Sequence, residues 1–139
     1  MTIQRTLSII KPDATSKNII GKIIDRLEEN GLKVVAGKLI HMDQAQAAGF
    51  YAEHEGRPFF PNLVEYMTSG PIVAAVLEKE NAVADFRALI GSTDPAEAAD
   101  GTIRKKYAES KGRNAVHGSD SDENAEIESN FHFSENELI

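Results

Sequence analysis

The chain has 139 residues and a formal net charge of −7 at pH 7, with 41% hydrophobic and 27% charged residues. This length suits one domain with a buried core and is too short for two ordinary domains. The negative charge disfavours general binding to nucleic acid or to anionic membranes. The absence of cysteine excludes disulfides and thiol chemistry.

The N-terminal segment predicts neither export nor membrane insertion. It is interrupted by Arg5, Lys11 and Asp13, so it lacks the apolar core of a signal peptide. Nowhere does the chain approach the roughly 18 uninterrupted apolar residues of a membrane span. Together with the lack of cysteine, which agrees with a reducing compartment, these features predict a cytoplasmic protein.

The first part of the chain predicts two strands around a helix. Residues 6–10 form an apolar run that stops at Lys11, which places this lysine at the end of a strand. Apolar residues then recur at the spacing of an amphipathic helix over residues 19–27, and Asn30-Gly31 should end this helix. Residues 32–42 form the second strand candidate.

The middle of the chain predicts two short helices, a third strand and a longer helix. Asp43 is suited to cap the first short helix, and Ser69-Gly70-Pro71 breaks the second. Residues 72–77 are apolar and β-branched, as in a buried strand. The helix after this strand carries Arg87 and should end at Gly91.

Two aromatic residues follow a proline between the two short helices. Packing in the core is the default role for Phe59 and Phe60. At the mouth of a cleft, an exposed ring would instead stack on a nucleobase, a contact that tolerates any base. Both interpretations remain open on these residues alone.

The last third predicts a long loop, two helices and a strand. Residues 91–100 are small and polar and form the loop, after which a short helix begins near Arg104. Residues 121–130 predict the last helix, and the alternation over residues 131–133 predicts a short strand. This order of elements fits an α+β protein with the ferredoxin-like βαββαβ fold, in which helices pack on one face of a four-stranded antiparallel sheet.

Positive charge is concentrated in the segment before residue 114. The basic residues there are Arg104, Lys105, Lys106, Lys111 and Arg113. A solvated face balanced by neighbouring acids is the usual interpretation of such a run. A local anion such as a polyphosphate would also use it.

His117 lies in the segment Asn114-Ala115-Val116-His117-Gly118-Ser119-Asp120-Ser121 and is our candidate for the reacting group. A lone histidine is more often a structural residue. Metal binding is disfavoured, because the chain lacks cysteine and the other histidines are distant in sequence without an i, i+4 partner. The remaining roles are general acid or base and nucleophile.

The neighbours of His117 favour a functional role. Gly118 permits close backbone approach, and the three residues that follow it are all suitable N-caps. A helix beginning here would direct free amides and its positive dipole end towards an anion. One helical stretch later, the carboxylate of Glu128 would hold the imidazole in one tautomer.

The pattern Asn114-x-x-His117-Gly118-Ser119-Asp120, followed by Glu128, resembles the active-site motif of the nucleoside diphosphate kinases. The resemblance extends from Arg5 to about Phe133. It implies the ferredoxin-like fold and a single domain of this type over residues 1–139. It also implies a ping-pong reaction in which a histidine takes the terminal phosphate of a nucleoside triphosphate and passes it to a nucleoside diphosphate.

The resemblance assigns roles to individual residues. His117 matches the nucleophile, and Glu128 matches the carboxylate that orients it. Lys11 matches a position that is both catalytic and phosphate-binding. The positions that bind phosphate and ribose are matched by Lys11, Tyr51, Arg87, Thr93, Arg104 and Asn114. Phe59 matches the aromatic residue on which the base stacks, which implies broad base specificity.

The resemblance also implies Mg²⁺ as cofactor and a homo-oligomer, either a tetramer or a hexamer built from dimers. The ion is expected to bridge nucleotide phosphates, so no protein residue is predicted as a metal ligand. The chain lacks the P-loop and the dinucleotide-binding glycine motifs, which excludes those two kinds of nucleotide site.

Several residues depart from the family pattern, outside the candidate set. They are Glu55-Gly56, Lys105, Lys106, Lys111 and Asn130. Two alternative functions remain: a noncatalytic nucleotide-binding module with the same fold, and a single-stranded nucleic-acid binder that uses Phe59 and the basic segment. The complete candidate set argues against the first, and the negative net charge argues against the second.

Overall fold

A four-stranded antiparallel sheet forms the centre of the structure, a computed structural model that describes residues 3–138 except for the side chain of Glu135. The strands are β1 (Ile3–Ile10), β2 (Lys33–Ile40), β3 (Ile72–Glu80) and β4 (Val116–Gly118). Their spatial order is β2-β3-β1-β4, and each neighbouring pair is antiparallel. This is the predicted α+β, ferredoxin-like arrangement.

Seven α-helices connect and cover the strands in the described part of the chain. They are α1 (Pro12–Ser16), α2 (Ile20–Glu29), α3 (Gln44–Phe50), α4 (Phe60–Met67), α5 (Ala82–Ile90), α6 (Ile103–Tyr107) and α7 (Asp122–His132). Two 3-10 turns are found at Ala52–His54 and Glu135–Glu137. Within residues 3–138 no helix has the length and apolar character needed to cross a membrane.

Local side-chain chemistry sets several helix boundaries. Asp43 accepts a hydrogen bond from the backbone of Gln46, whose side chain accepts one from the backbone of Asp43, so α3 begins with the predicted cap as a full capping box. Ser121 caps α7 by accepting a hydrogen bond from the Asn124 backbone. The cap of α7 fixes the spacing between β4 and the helix that carries Glu128.

Helices cover both faces of the sheet, so the expectation that they lie on one face is wrong. The side chains of β3 alternate between two hydrophobic clusters, with Val73, Ala75 and Leu77 in one and Ile72, Ala74 and Val76 in the other. The first cluster is completed by α2 and α5, and the second by α3 and α4. A strand that is apolar on both sides needs partners on both sides.

The prediction of a strand at residues 131–133 is also wrong. Helix α7 continues through His132, and Phe133 is its C-cap. Three alternating residues carry too little periodicity to distinguish a strand from a helix end. The fourth strand is instead β4, where His117 faces Ile9 of β1 in the register.

Candidate active site

His117 and Glu128 are in direct contact at the end of the sheet. Strand β4 presents the imidazole, and Nε2 lies 2.7 Å from Oε1 of Glu128, which projects from α7. The hydroxyl of Ser119 donates to the same oxygen at 2.6 Å. Because Nε2 faces the carboxylate, Nδ1 is the ring nitrogen that remains for chemistry.

The carboxylate of Glu128 stays ionised in this setting. Burial raises its pKa, but hydrogen bonds from His117 and Ser119 and the charge of His117 outweigh that effect, so its pKa lies below its usual range. An ionised carboxylate can stabilise positive charge that develops on the imidazole.

An aromatic cluster holds the other side of the His117 ring. Phe50, the last residue of α3, meets the imidazole edge to face, with ring centroids 5.6 Å apart. Its ring also contacts Tyr51 at 4.9 Å, Phe131 at 5.4 Å and His132 at 5.0 Å. The nucleophile candidate is therefore fixed by hydrogen bonds at one edge and by ring packing elsewhere.

A tight turn with positive φ leads into β4. Ala115 has φ 72°, and the backbone N–H of Val116 donates to the carbonyl of Asn114 at 2.8 Å across it. A γ-turn with positive φ at a non-glycine residue is rare and costs about 1–3 kcal/mol. The Ala115 N–H donates to Oδ2 of Asp13 at 3.1 Å, and its carbonyl accepts from the Lys11 backbone at 2.7 Å. Both ends of the strained residue are therefore anchored.

Lys11, Asn114 and Thr93 form one hydrogen-bonded chain. The Lys11 ammonium donates to Oδ1 of Asn114 at 2.8 Å, and the Asn114 amide donates to the carbonyl of Thr93 at 3.2 Å. Burial and the charge of Arg104 lower the pKa of Lys11 to about 8, although Asp13 opposes this. A buried ammonium with such a lowered pKa favours a bound anion as its partner.

Two guanidinium groups lie on either side of His117. Arg104 donates to the carbonyl of Val116 at 2.8 Å, and Arg87 donates to that of Gly118 at 3.3 Å. Burial, followed by the charge of Arg87, lowers the pKa of Arg104 to about 10. Within residues 3–138, no carboxylate pairs with either arginine or with Lys11. Three cations that form no salt bridge, beside one imidazole, make a site for a polyanion.

Tyr51 lies close to the reacting centre and Phe59 lies apart from it. Tyr51 is buried, its hydroxyl has no hydrogen-bond partner in the described part of the chain, and burial followed by the charge of Glu128 raises its pKa. Phe59 is 48% exposed, and its ring contacts that of His54 with centroids 5.3 Å apart. An exposed ring at this position is free to meet a ligand from solvent.

Three contacts of the site were not predicted from the sequence. Ser119 was considered as a helix cap and as part of the motif but not as a partner of Glu128, to which it bonds. Phe50 and Asp13 were not among the candidate site residues, yet Phe50 contacts His117 and Asp13 bonds to the turn before it. No sequence signal identifies these roles, because each contact joins residues from different elements.

No protein cage for a metal ion occurs in residues 3–138. There is no group of three or more His, Cys, Asp or Glu side chains placed to hold one. Glu128 already accepts bonds from His117 and Ser119, and Asp120 accepts from the Asn124 amide at 2.6 Å. A divalent ion bound here would take most of its ligands from a bound molecule and from water.

Residues 4–138 match the family model for nucleoside diphosphate kinase. The chain is 60% identical to the nucleoside diphosphate kinase of Myxococcus xanthus over 138 residues, covering 99% of this chain and 95% of that protein. It is 57% identical to that of Chlorobium limicola over 137 residues, covering 99% and 98%.

Solved structures of the same family share the fold. The Aquifex aeolicus nucleoside diphosphate kinase superimposes with a TM-score of 0.97 at 46% identity, covering 99% of this chain and 100% of that one. A halophilic nucleoside diphosphate kinase from Halobacterium salinarum, solved in complex with CDP, gives 0.95 at 43% identity, with 99% and 92% covered. The chain therefore belongs to the nucleoside diphosphate kinase family, enzymes that transfer phosphate from nucleoside triphosphates to nucleoside diphosphates.

Proposed function

We propose that this enzyme transfers phosphate through a phosphohistidine on Nδ1 of His117. The observation that carries the proposal is the bond between Nε2 and Glu128, which leaves Nδ1 as the available nucleophile beside three cations that form no salt bridge. The sequence motif and the family support the same residue. A noncatalytic nucleotide-binding module would not need this orientation of the ring.

The reaction runs as two displacements at phosphorus. In the first, the Nδ1 lone pair of His117 attacks the γ-phosphorus, and the bond from that phosphorus to the bridging oxygen breaks. The nucleoside diphosphate leaves with the bonding electrons. In the second, a terminal phosphate oxygen of another nucleoside diphosphate attacks the phosphohistidine, and the N–P bond breaks to restore the imidazole. Glu128 stabilises positive charge on the ring during both steps.

The phosphates are bound by the cations around β4. Phosphoryl transfer through a loose transition state depends on alignment and on neutralisation of charge spread over the phosphoryl oxygens. Lys11, Arg87 and Arg104 supply that charge, and their hydrogen bonds to Asn114 and to backbone carbonyls hold them in place. Tyr51, Thr93 and Asn114 complete the contacts to phosphate and ribose.

The base binds by stacking on Phe59. This ring is half exposed and is not packed into either hydrophobic cluster. Stacking contacts the π face that all bases share, so it does not discriminate between them. This exposed position supports the proposal of broad base specificity. The CDP complex of the Halobacterium salinarum relative is in keeping with nucleotide binding here.

Mg²⁺ fits this site as a partner of the nucleotide. The donor set around His117 is cationic, and its carboxylates already accept hydrogen bonds. The ion would therefore be held by phosphate oxygens and water, with no side chain as a required ligand. When bound, it supplies additional neutralisation of phosphate charge.

We infer further that the protein assembles as a homo-oligomer, a tetramer or a hexamer built from dimers, as the resemblance implies. The sheet leaves β2 with an unpaired side among the described strands, and Leu39 on it is 63% exposed. An exposed strand edge with a large apolar side chain is suited to pairing with a second copy. A cytoplasmic location and a single kinase domain stay predictions from the sequence.

Phosphoenzyme formation tests the proposed function directly. Wild-type protein is mixed with Mg²⁺ and γ-labelled ATP without an acceptor, and label should attach in an acid-labile, base-stable form. Adding a different nucleoside diphosphate should discharge the label into the matching triphosphate. His117→Ala should bind ATP and acquire no label, whereas His41→Ala, at an exposed histidine that makes none of the site contacts described above, should label normally. Retained labelling and turnover in His117→Ala would refute the assignment.

A further inference from the structure

Asp13 is a buried carboxylate to which the proposed mechanism gives no role. It is 4% exposed at the start of α1. One oxygen, Oδ1, accepts a hydrogen bond from the hydroxyl of Tyr66, and the other, Oδ2, accepts from the Ala115 backbone at 3.1 Å. Burying a polar carboxyl side chain is costly, so its position beside the reacting centre calls for an explanation beyond packing.

The first contact of interest is with the turn before His117. Asp13 accepts a hydrogen bond from the N–H of Ala115, and the backbone N–H of Lys11 donates to the carbonyl of Ala115 at 2.7 Å. The φ of 72° at Ala115 is unfavourable for a residue with a Cβ, so the turn depends on these anchors. Since β4 begins at the next residue, the turn sets where the imidazole and the Asn114 amide lie.

The second contribution is electrostatic and acts on Lys11. The charged groups around its ammonium are Arg104, which disfavours protonation, and Asp13, which favours it. Tyr66, whose hydroxyl donates to Asp13, has the guanidinium of Arg113 5.1 Å from the centre of its ring. Asp13 is therefore the negative charge that opposes the effect of burial on Lys11.

We propose that Asp13 is a positioning residue for phosphate transfer, which anchors the turn before His117 and places a carboxylate on the same turn as Lys11. The inference rests on the proposed roles of His117 and Lys11. It goes beyond them by assigning to one buried carboxylate both the placement of the nucleophile and the charge state of a phosphate-binding group.

The pH dependence of phosphohistidine formation tests the electrostatic part. Full-length wild type, Asp13→Asn and Tyr66→Phe are labelled with γ-labelled ATP and Mg²⁺ between pH 6.5 and 9.5. The wild-type rate should fall above about pH 8 as Lys11 loses its proton. In Asp13→Asn this alkaline fall should move to lower pH by on the order of one unit, because the counter-charge is gone. Tyr66→Phe removes the other hydrogen bond and keeps the charge, so its alkaline fall should match wild type.

The rate at pH 6.5, where most of Lys11 is charged in each protein, tests the anchoring part. Asp13→Asn should lose roughly ten-fold or more there, because its amide holds the Ala115 N–H less strongly than a carboxylate does. Adding Ala115→Gly should recover part of this loss, since glycine adopts positive φ without a Cβ clash. If Asp13→Asn alone does not fold, the double variant and Ala115→Gly provide the matched pair for the pH profile.

The outcomes separate this inference from the proposed function. A wild type that never labels, or a His117→Ala variant that does, defeats the proposed mechanism and the inference with it. If wild type labels but the alkaline fall of Asp13→Asn coincides with that of wild type, the inference alone is wrong. An equal shift in Tyr66→Phe would also overturn it, because the effect would then come from the loss of packing.

Discussion

At the scale of single residues, the contact between His117 and Glu128 decides which ring nitrogen is available. The sequence predicted this pair from a motif and a helix of suitable length, and the atoms lie 2.7 Å apart. It did not predict the second partner of the carboxylate, Ser119, because the motif offered several residues with equal capping ability. Motif spacing identifies the partners, whereas the hydrogen-bond network depends on how β4 meets α7.

Glu128→Gln should slow phosphohistidine formation by roughly 10–100-fold, because a neutral amide accepts a weaker hydrogen bond and does not balance positive charge on the ring. Rapid-quench labelling with γ-labelled ATP at neutral pH measures the rate, and equilibrium titration measures ATP affinity, which should change little. Ser119→Ala removes only the neutral partner of the same oxygen, so its loss should be several-fold at most. Equal losses in the two variants would contradict the importance of the charge.

At the scale of elements, the sequence predicted most helices, including the short α3, α4 and α6, and the three longer strands, and it failed at β4 and at the end of α7. Strand β4 has three residues and a polar sequence, so its hydrophobic pattern is too weak to identify it. It forms because β1 offers an unpaired side to residues 116–118. The end of α7 was missed for a related reason: buried His132 and Phe133 follow half-exposed Phe131, and three residues fit either period.

His132 makes α7 sensitive to acid. The residue is 8% exposed, and its Nε2 has no hydrogen-bond partner among the described residues. Burial, followed by the charges of Lys38 and His117, lowers the pKa of His132 to about 4. Between pH 6.5 and 4 the unfolded chain therefore binds a proton at His132 that the folded chain does not. The free energy of unfolding should fall as pH falls through this window, by about 2 kcal/mol between pH 7 and pH 5.

Urea denaturation at pH 7 and pH 5 measures this contribution. His132→Phe keeps an aromatic ring beside Phe50 and removes the titrating group, so it should lose about 2 kcal/mol less than wild type on acidification. His41→Phe replaces an exposed histidine with the same ring and is the matched control for the added phenyl group. Parallel behaviour of His132→Phe and wild type would show that other groups cause the acid sensitivity.

At the scale of the whole molecule, the order of elements predicted the sheet but not how both of its faces are covered. The order strand, helix, strand, strand, helix, strand restricts the topology, because connections are short and do not cross. Both faces are covered because β3 is apolar on each side. From the sequence alone, the run of Val, Ala and Leu in β3 does not show which of its residues belong to which hydrophobic cluster. The assembly of subunits is harder still to predict from sequence patterns.

The proposed assembly predicts a specific sensitivity at the edge of the sheet. Leu39 is 63% exposed on β2, the terminal strand of the order β2-β3-β1-β4. If two copies meet along this edge, Leu39→Lys places a charge in the interface and removes apolar burial worth about 2 kcal/mol per subunit. The variant should therefore run as a smaller species than wild type in size-exclusion chromatography with light scattering.

Ile127→Lys is the matched control, because Ile127 is 66% exposed on α7 and the charge change is the same. If Ile127→Lys dissociates the assembly and Leu39→Lys does not, the contact between subunits lies on α7 and the β2 edge faces solvent.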